Sequence, residues 1–248
     1  METLSPRPCP RGRADAGSQL QIQNYVNWWP GELSRRVLDA FMLTRFGAGL
    51  CWVSPLETDD FAEYRDEAFL RALGVEQLAD RLRRFWPANG PCWDALAVVR
   101  TGGDLARWGA LLVEAKSHLS ELRGDGCGAG PRSRQKIEAA LRETKRWLGV
   151  PQDVDWTGDL YQYANRLAHL YFFIREGIPV WLVNVYFLGD RYFSDSRATP
   201  EEWQGDLAQL KADLGLTAPF IAHAADVFLP VWEPPASGAA TGSPTASE

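Results

Sequence analysis

The chain has 248 residues, a net charge of −6, 46% hydrophobic residues and 23% charged residues. These proportions are typical of a globular protein, and the length fits one large domain or two small ones. The acidity argues against non-specific binding to nucleic acid, and no apolar run reaches the roughly 18 to 20 residues that a membrane span needs. The N-terminal stretch contains arginine but no continuous apolar segment, so we expect no secretory signal.

The first half of the chain is predicted to be mainly helical, because glycine, proline and capping residues bound its apolar stretches. The elements predicted there are a helix over 30–46, a short strand or loop over 50–56, a helix over 58–74 and a helix over 75–86.

The second half alternates between strands and helices. The predicted strands are 92–99, 108–119, 180–188 and a final one at 226–232, and the predicted helices are 132–148, 158–176 and 200–214. The strands are apolar with little alternation, which is typical of a sheet covered by helices on both faces. We therefore predict an α/β fold with a mixed sheet flanked by helices.

Both ends of the chain are rich in Pro, Gly, Ser and Ala. We predict disordered tails over 1–18 and 233–248. The stretch over 19–232 shows neither an internal repeat nor a linker, so we predict one domain with its core at about 75–190.

Four cysteines, Cys9, Cys51, Cys92 and Cys127, are scattered along the chain without a CxxC pair. Neither a zinc site nor a disulfide framework is therefore expected. A reducing, cytoplasmic setting fits this usage.

Two charges interrupt the predicted strand "LLVEAKSHL" at Glu114 and Lys116. Side chains alternate along a strand with a period of two, so both point to the same face. An exposed edge strand would keep them in water, but the three apolar residues before them favour burial, and buried charges need partners.

The preceding strand offers a partner. If 101–107 connects the two strands as a hairpin, Arg100 lies opposite Trp108, and counting back places Asp94 opposite Glu114. Two carboxylates at that separation repel each other unless a cation lies between them. Hard oxygen ligands select magnesium or manganese, and Lys116 would stand beside the metal, where it can orient or deprotonate a water or stabilise a charged transition state.

Asp94 followed by Glu114-Ala115-Lys116 resembles the D…(D/E)xK signature of the PD-(D/E)XK, or restriction-endonuclease-like, nuclease superfamily. The resemblance covers about residues 75–190 and implies a restriction-endonuclease-like fold. It also implies that Asp94, Glu114 and the Ala115 carbonyl hold Mg²⁺ or Mn²⁺ and that Lys116 serves the attacking water. The chemistry implied is hydrolysis of phosphodiester bonds.

Some parts of the family pattern are only approximate. Trp93 stands where the family has proline before the aspartate. Gln162 matches the catalytic glutamine that RecB-like members carry on the helix before the last core strand, but Arg166 stands where those members have tyrosine. An additional acid from before the first strand, present in some members, has Glu76 as its nearest candidate.

The resemblance implies nucleic acid as the partner, with DNA preferred to RNA, and no membrane. Catalysis is one hypothesis. The alternative is a catalytically inactive nuclease-like protein that binds nucleic acid or a protein partner.

Other polar residues have two interpretations each. Gln162, Asn165, Arg166 and His169 share one stripe of a predicted helix, either lining the metal site or facing water. His118 follows the charged strand as a site residue or as a hydrogen-bonded strand end, whereas His223 is expected to be structural.

Two further features could contact nucleic acid. Residues 131–148 carry six basic and two acidic side chains, a local charge of +4, which indicates either phosphate contacts or a solvated helix face. Tyr25, Trp28 and Trp29 could stack on bases or close the core.

A second ExK triplet, Glu143 to Lys145, falls within a predicted helix and is interpreted as a solvated charge pair, since positions i and i+2 do not share a helix face.

Overall fold

The computed structural model describes residues 8–100, 108–192, 198–216 and 222–232. Residues 1–7 of the predicted tail over 1–18 lie outside the described residues, as do the predicted tail over 233–248 and the predicted connection over 101–107.

The described strands form one five-stranded mixed sheet in the order β1-β2-β3-β4-β5. Their bounds are Gly49–Ser54 for β1, Ala95–Arg100 for β2, Trp108–Lys116 for β3, Val180–Leu188 for β4 and Ala224–Pro230 for β5. The pairs β1–β2 and β2–β3 are antiparallel, whereas β3–β4 and β4–β5 are parallel. Parallel neighbours need long crossover connections, and the chain between β3 and β4 supplies two helices for this purpose.

Helices cover both faces of this sheet. Their bounds are Gly17–Trp28 (α1), Pro30–Ala40 (α2), Asp66–Ala72 (α3), Ala79–Phe85 (α4), Pro131–Leu148 (α5), Tyr161–Arg175 (α6) and Pro200–Asp213 (α7). Short 3₁₀ turns span Leu43–Phe46, Glu57–Asp59, Glu76–Leu78 and Leu119–Leu122. The mixed α/β fold with helices on both faces is confirmed.

Alternation along the strands divides the core into two layers. One face of β3, with Leu111, Val113 and Ala115, packs with α1 and α2. The other face, with Ala110 and Leu112, packs with α3 to α7. Both layers are buried and apolar, which explains why the strands show little hydrophobic alternation.

The segment before α3 differs from the predicted helix over 58–74. Only Glu57–Asp59 forms a short turn, and Tyr64 then pairs with Trp93 in an isolated antiparallel bridge. Asp60 and Phe61 also have positive φ angles of 52° and 50°, which a helix excludes. A long-range strand contact therefore outweighs the local helix-start signal at Thr58, and α3 begins only at Asp66.

The N-terminal stretch also differs from the predicted tail, because residues 8–16 are held against the loop before α3. The Gly12 N–H donates to the Asp60 carbonyl at 2.7 Å, and the Glu63 N–H donates to the Pro10 carbonyl at 3.1 Å. Gly17 then begins α1, a helix that the sequence patterns did not predict.

A disulfide joins Cys9 to Cys92, with 5.9 Å between their Cα atoms. The expectation that the cysteines form no disulfide is therefore wrong. The two residues are 83 positions apart, so their spacing carries no local signal, and only the folded N-terminal segment brings them together.

Among the described residues, no helix combines the length and the apolar character that crossing a lipid bilayer requires.

Candidate active site

A row of polar side chains crosses the carboxyl ends of the parallel strands, on the face covered by α3 to α7. Glu114 on β3 is in register with Asn184 on β4, which is in register with Asp226 on β5. The Asn184 amide donates to Asp226 at 3.0 Å. The residues that precede this row on the same face, such as Leu112 and Leu182, belong to the apolar core.

Asp94 joins this row from the start of β2. Arg100 pairs with Trp108 and Ala95 with Val113, as the hairpin register predicted, and one further step places Asp94 opposite Glu114. Asp94 Oδ2 accepts the Ala115 N–H at 2.6 Å. The two predicted carboxylates therefore lie on the same face of neighbouring strands.

The Glu114 carboxylate is buried and bound on both oxygens. Lys116 Nζ and Gln162 Nε2 donate to Oε1 at 2.7 and 3.0 Å, and Arg166 Nε donates to Oε2 at 2.5 Å. Burial raises the pKa of Glu114, but the charges of Arg166 and Lys116 outweigh it and hold the pKa below its ordinary value. Glu114 is therefore an anion in the folded protein.

Lys116 remains an ammonium group at this position. Burial lowers the pKa of Lys116, but the neighbouring carboxylates of Glu114 and Asp94 outweigh burial and raise it above its ordinary value. A charged lysine can orient a water or stabilise negative charge, whereas deprotonating a water would require the neutral amine.

The pKa of Asp94 shifts in the direction opposite to that of Glu114. Desolvation, together with the negative charges of Glu114 and Glu63, raises the pKa of Asp94 well above its ordinary value. A carboxyl held in this way favours the protonated form until a cation replaces the proton.

Glu63 is a third acid of the cluster, and the sequence patterns did not identify it. It is buried, accepts a hydrogen bond from Gln19 at 2.9 Å, and burial raises its pKa to about 7. Glu76, the acid considered from the sequence, is instead exposed in a short turn. Glu63 lies in an irregular loop, where spacing gives no indication of which residues are close in space.

Helix α6 brings two of its four predicted polar residues to the site. Gln162 and Arg166 both bind Glu114. Asn165 accepts from Arg166 through its side chain at 2.8 Å. His169 is buried among Phe69, Trp86 and Trp93, which makes it a core residue.

The two remaining histidines lie away from Glu114. His118 is buried at the end of β3, with Nε2 3.6 Å from Asp190 Oδ2. His223 bonds the Val180 carbonyl through Nδ1 at 2.9 Å, which agrees with the structural role expected for it.

A cavity of about 20 Å³ adjoins Glu114 on the α6 side. This is room for about one water molecule or ion. The residues that line it are Glu114, Lys116, Glu121, Leu122, Gln162, Tyr163, Arg166, Asn184 and Tyr186.

The donor set suits a hard divalent cation, although the described residues contain no ready-made group of three His, Cys, Asp or Glu side chains. Mg²⁺ is usually held by one or two carboxylates, with waters and substrate phosphates as the other ligands. Asp94 and Glu114 supply two carboxylates. The Ala115 N–H points to Asp94, and the carbonyl of the same strand residue is directed to the same side.

The features considered as nucleic-acid contacts are divided between core and surface. Tyr25 is fully buried, whereas Trp28 and Trp29 are 42% and 47% exposed. On α5, Lys145 is buried and donates to the carbonyls of Gln152 and Val154. The second ExK triplet is thus not a solvated charge pair, because its lysine ties α5 to the following loop.

No family model, no curated protein and no solved structure matches this chain. The case for any function therefore rests on the residues and geometry described above.

Proposed function

We propose that this chain is a metal-dependent nuclease of the restriction-endonuclease-like fold, hydrolysing phosphodiester bonds of nucleic acid, with DNA as the preferred substrate. The observation that carries the proposal is the meeting of Asp94 with the Glu114-Ala115-Lys116 triplet, through the hydrogen bond from the Ala115 N–H to Asp94. A further feature supports it: Gln162 of α6, the helix before β4, donates a hydrogen bond to Glu114.

In this proposal Asp94, Glu114 and the Ala115 carbonyl hold Mg²⁺ or Mn²⁺. The metal, when bound, activates a water and neutralises charge on the phosphate. Asp94 releases its proton as it becomes a ligand, because only the carboxylate coordinates well.

The other residues act by position and charge. Lys116 remains an ammonium group that orients the attacking water and stabilises the negative charge of the transition state. Gln162 and Arg166 fix the orientation of the Glu114 carboxylate, so that one rotamer is presented to the site.

A second candidate function is binding of nucleic acid or a protein partner without catalysis. The observation that favours it is the pairing of Glu114 with both Lys116 and Arg166, because two cations already neutralise this carboxylate without a metal. Arg166 is also the position at which the chain departs from the family's tyrosine.

Cleavage of single-stranded DNA, duplex DNA and RNA with Mg²⁺ or Mn²⁺ tests the proposal. Glu114→Gln and Lys116→Ala should each lower the cleavage rate by at least about 100-fold, because each removes a group that acts on the reacting phosphate. Glu143→Gln, in the other ExK triplet, is the matched control and should retain full activity.

The outcomes separate the two functions. Cleavage that survives both substitutions would reject this site. Tight binding of DNA without cleavage by the wild-type protein, and unchanged in Glu114→Gln, would favour the non-catalytic function.

A further inference from the structure

A second and larger cavity opens on the other side of Glu63. It has a volume of about 520 Å³ and lies between Pro8 and Cys9 of the N-terminal segment and helices α3 and α4. This volume is within the range of pockets that bind small organic ligands, about 300–1,000 Å³. The role proposed for Asp94, Glu114 and Lys116 does not use this cavity.

The cavity reaches the candidate active site through two connections. Glu63 forms part of its wall, and the charges of Glu114 and Arg166 act on the Glu63 carboxyl. Tyr64, also in the wall, pairs with Trp93, the residue directly before Asp94. The backbone bridge from Tyr64 to Trp93 therefore links the wall of the cavity to the residue next to Asp94.

Two carboxylates of the wall are bound by groups of the protein. Asp66 is engaged, because its carboxylate accepts the N–H groups of Asn89 and Gly90 at 2.9 and 3.0 Å. Glu67 is engaged in an ion pair with Arg83.

Within the described residues, two arginines of the wall form no ion pair with a carboxylate. Arg65 donates to the sulfur of Cys92, with its Nη2 at 2.6 Å, and to that of Cys9, with its Nε at 3.1 Å. Sulfur is a weak acceptor. Arg71 is exposed, and no carboxylate among the described residues pairs with it.

Aromatic residues complete the wall. Tyr64 and Trp86 line the cavity together with the apolar side chains of Leu82 and Pro87. Aromatic rings beside arginines are the combination that binds a nucleobase and its phosphate without reading sequence.

We propose that this cavity binds one nucleotide of a single-stranded or frayed nucleic acid, with the base against Tyr64 and the phosphate at Arg65 and Arg71. The choice of ligand rests on the proposed function. The site would thereby favour strands with a free or unpaired nucleotide over intact duplex, because a base that is stacked and paired in a duplex cannot enter the cavity.

Equilibrium binding of deoxyadenosine monophosphate to the disulfide-bonded protein, without metal, tests this inference. Arg71→Ala should weaken binding about tenfold, because it removes a charge-assisted hydrogen bond to the phosphate. Ala68→Trp, which places a large ring from an exposed position of α3 into the cavity, should abolish binding. Arg84→Ala is the matched control, because Arg84 is exposed on α4 and does not line the cavity.

Three results would overturn the inference. The first is the absence of binding at millimolar deoxyadenosine monophosphate. The second is an equal loss of affinity for this nucleotide in Arg71→Ala and Arg84→Ala. The third is displacement of bound nucleotide by inorganic phosphate as effective as displacement by free nucleotide. Circular dichroism of Ala68→Trp verifies that the variant is folded.

Cleavage assays separate this inference from the proposed function. If the nucleotide binds as described but no nucleic acid is cleaved, the nucleotide pocket is supported and the nuclease activity is rejected. If cleavage depends on Glu114 but no nucleotide binds to the cavity, the nuclease is supported and the nucleotide pocket is rejected.

Discussion

At the scale of single residues, the site is held together by charges that are buried in pairs. Glu114 has 6% of its side chain exposed, Arg166 8% and Lys116 12%. Such groups are stable only when their partners are present, because an isolated buried charge carries a large desolvation penalty.

Replacing Arg166 by Met should therefore destabilise the protein by about 3 kcal/mol, since it leaves Glu114 with one cation fewer in a buried environment. The double variant Arg166→Met/Glu114→Gln should lose clearly less than the sum of the two single variants. Urea unfolding at neutral pH measures all four proteins. Strictly additive losses would show that the two side chains do not act as a pair.

His169 gives the fold a dependence on pH that can be isolated. Burial, opposed by the Asn165 carbonyl, lowers its pKa from 6.5 to about 4. The native state thus resists protonation, so the contribution of His169 to stability is complete above pH 6.5 and is lost as the pH falls towards 4.

The stability advantage of the wild type over His169→Gln should therefore decrease by about 1.4 kcal/mol for each pH unit in that window. Unfolding curves of both proteins from pH 7 to 4 give this difference, and the contributions of Glu63 and Asp94 cancel in it. A difference that does not change with pH would show that His169 is protonated as readily in the folded protein as in the unfolded chain.

At the scale of elements, the sequence predicts those helices and strands that depend on interactions between residues close together in the chain. The apolar runs of β2, β3 and β4 and the glycine stops after α5 and α6 are signals within a few residues, and the hairpin register follows from counting. The same counting brought Asp94 and Glu114 together.

The elements that were missed depend on long-range contacts. The pairing of Tyr64 with Trp93 replaces a helix start, and the disulfide with Cys92 fixes the N-terminal segment. Asn184 carried one usable signal, as a polar residue inside a buried strand, but its position opposite Glu114 requires the parallel pairing of β3 with β4.

The disulfide makes the N-terminal segment part of the fold. It closes a loop of 83 positions, and constraining a loop of that size in the unfolded chain stabilises a protein by about 4 kcal/mol. Cys9→Ser should lower the free energy of unfolding by an amount of that order, and a reducing agent should bring the wild type to the same value.

Cys51→Ser is the control, because Cys51 is a free, exposed cysteine, and this variant should retain wild-type stability. Equal unfolding midpoints for Cys9→Ser and the oxidised wild type would mean that the bridge does not form in solution.

At the scale of the whole molecule, the chain is acidic, with a net charge of −6. The cations of the candidate site, Lys116 and Arg166, are paired there with the carboxylate of Glu114. A net negative charge argues against binding along a duplex through a broad basic surface.

In the proposed site, Asp94 and Glu114 share a divalent cation where β2 begins and β3 ends. A crystal structure of the protein with Mn²⁺, recorded at a wavelength where manganese scatters anomalously, tests this most directly. We expect an anomalous peak about 2.0 to 2.3 Å from oxygens of both carboxylates and of the Ala115 carbonyl, with Asp94→Asn abolishing it. Manganese bound elsewhere, or no peak while Glu114 keeps its pairs with Lys116 and Arg166, would contradict it.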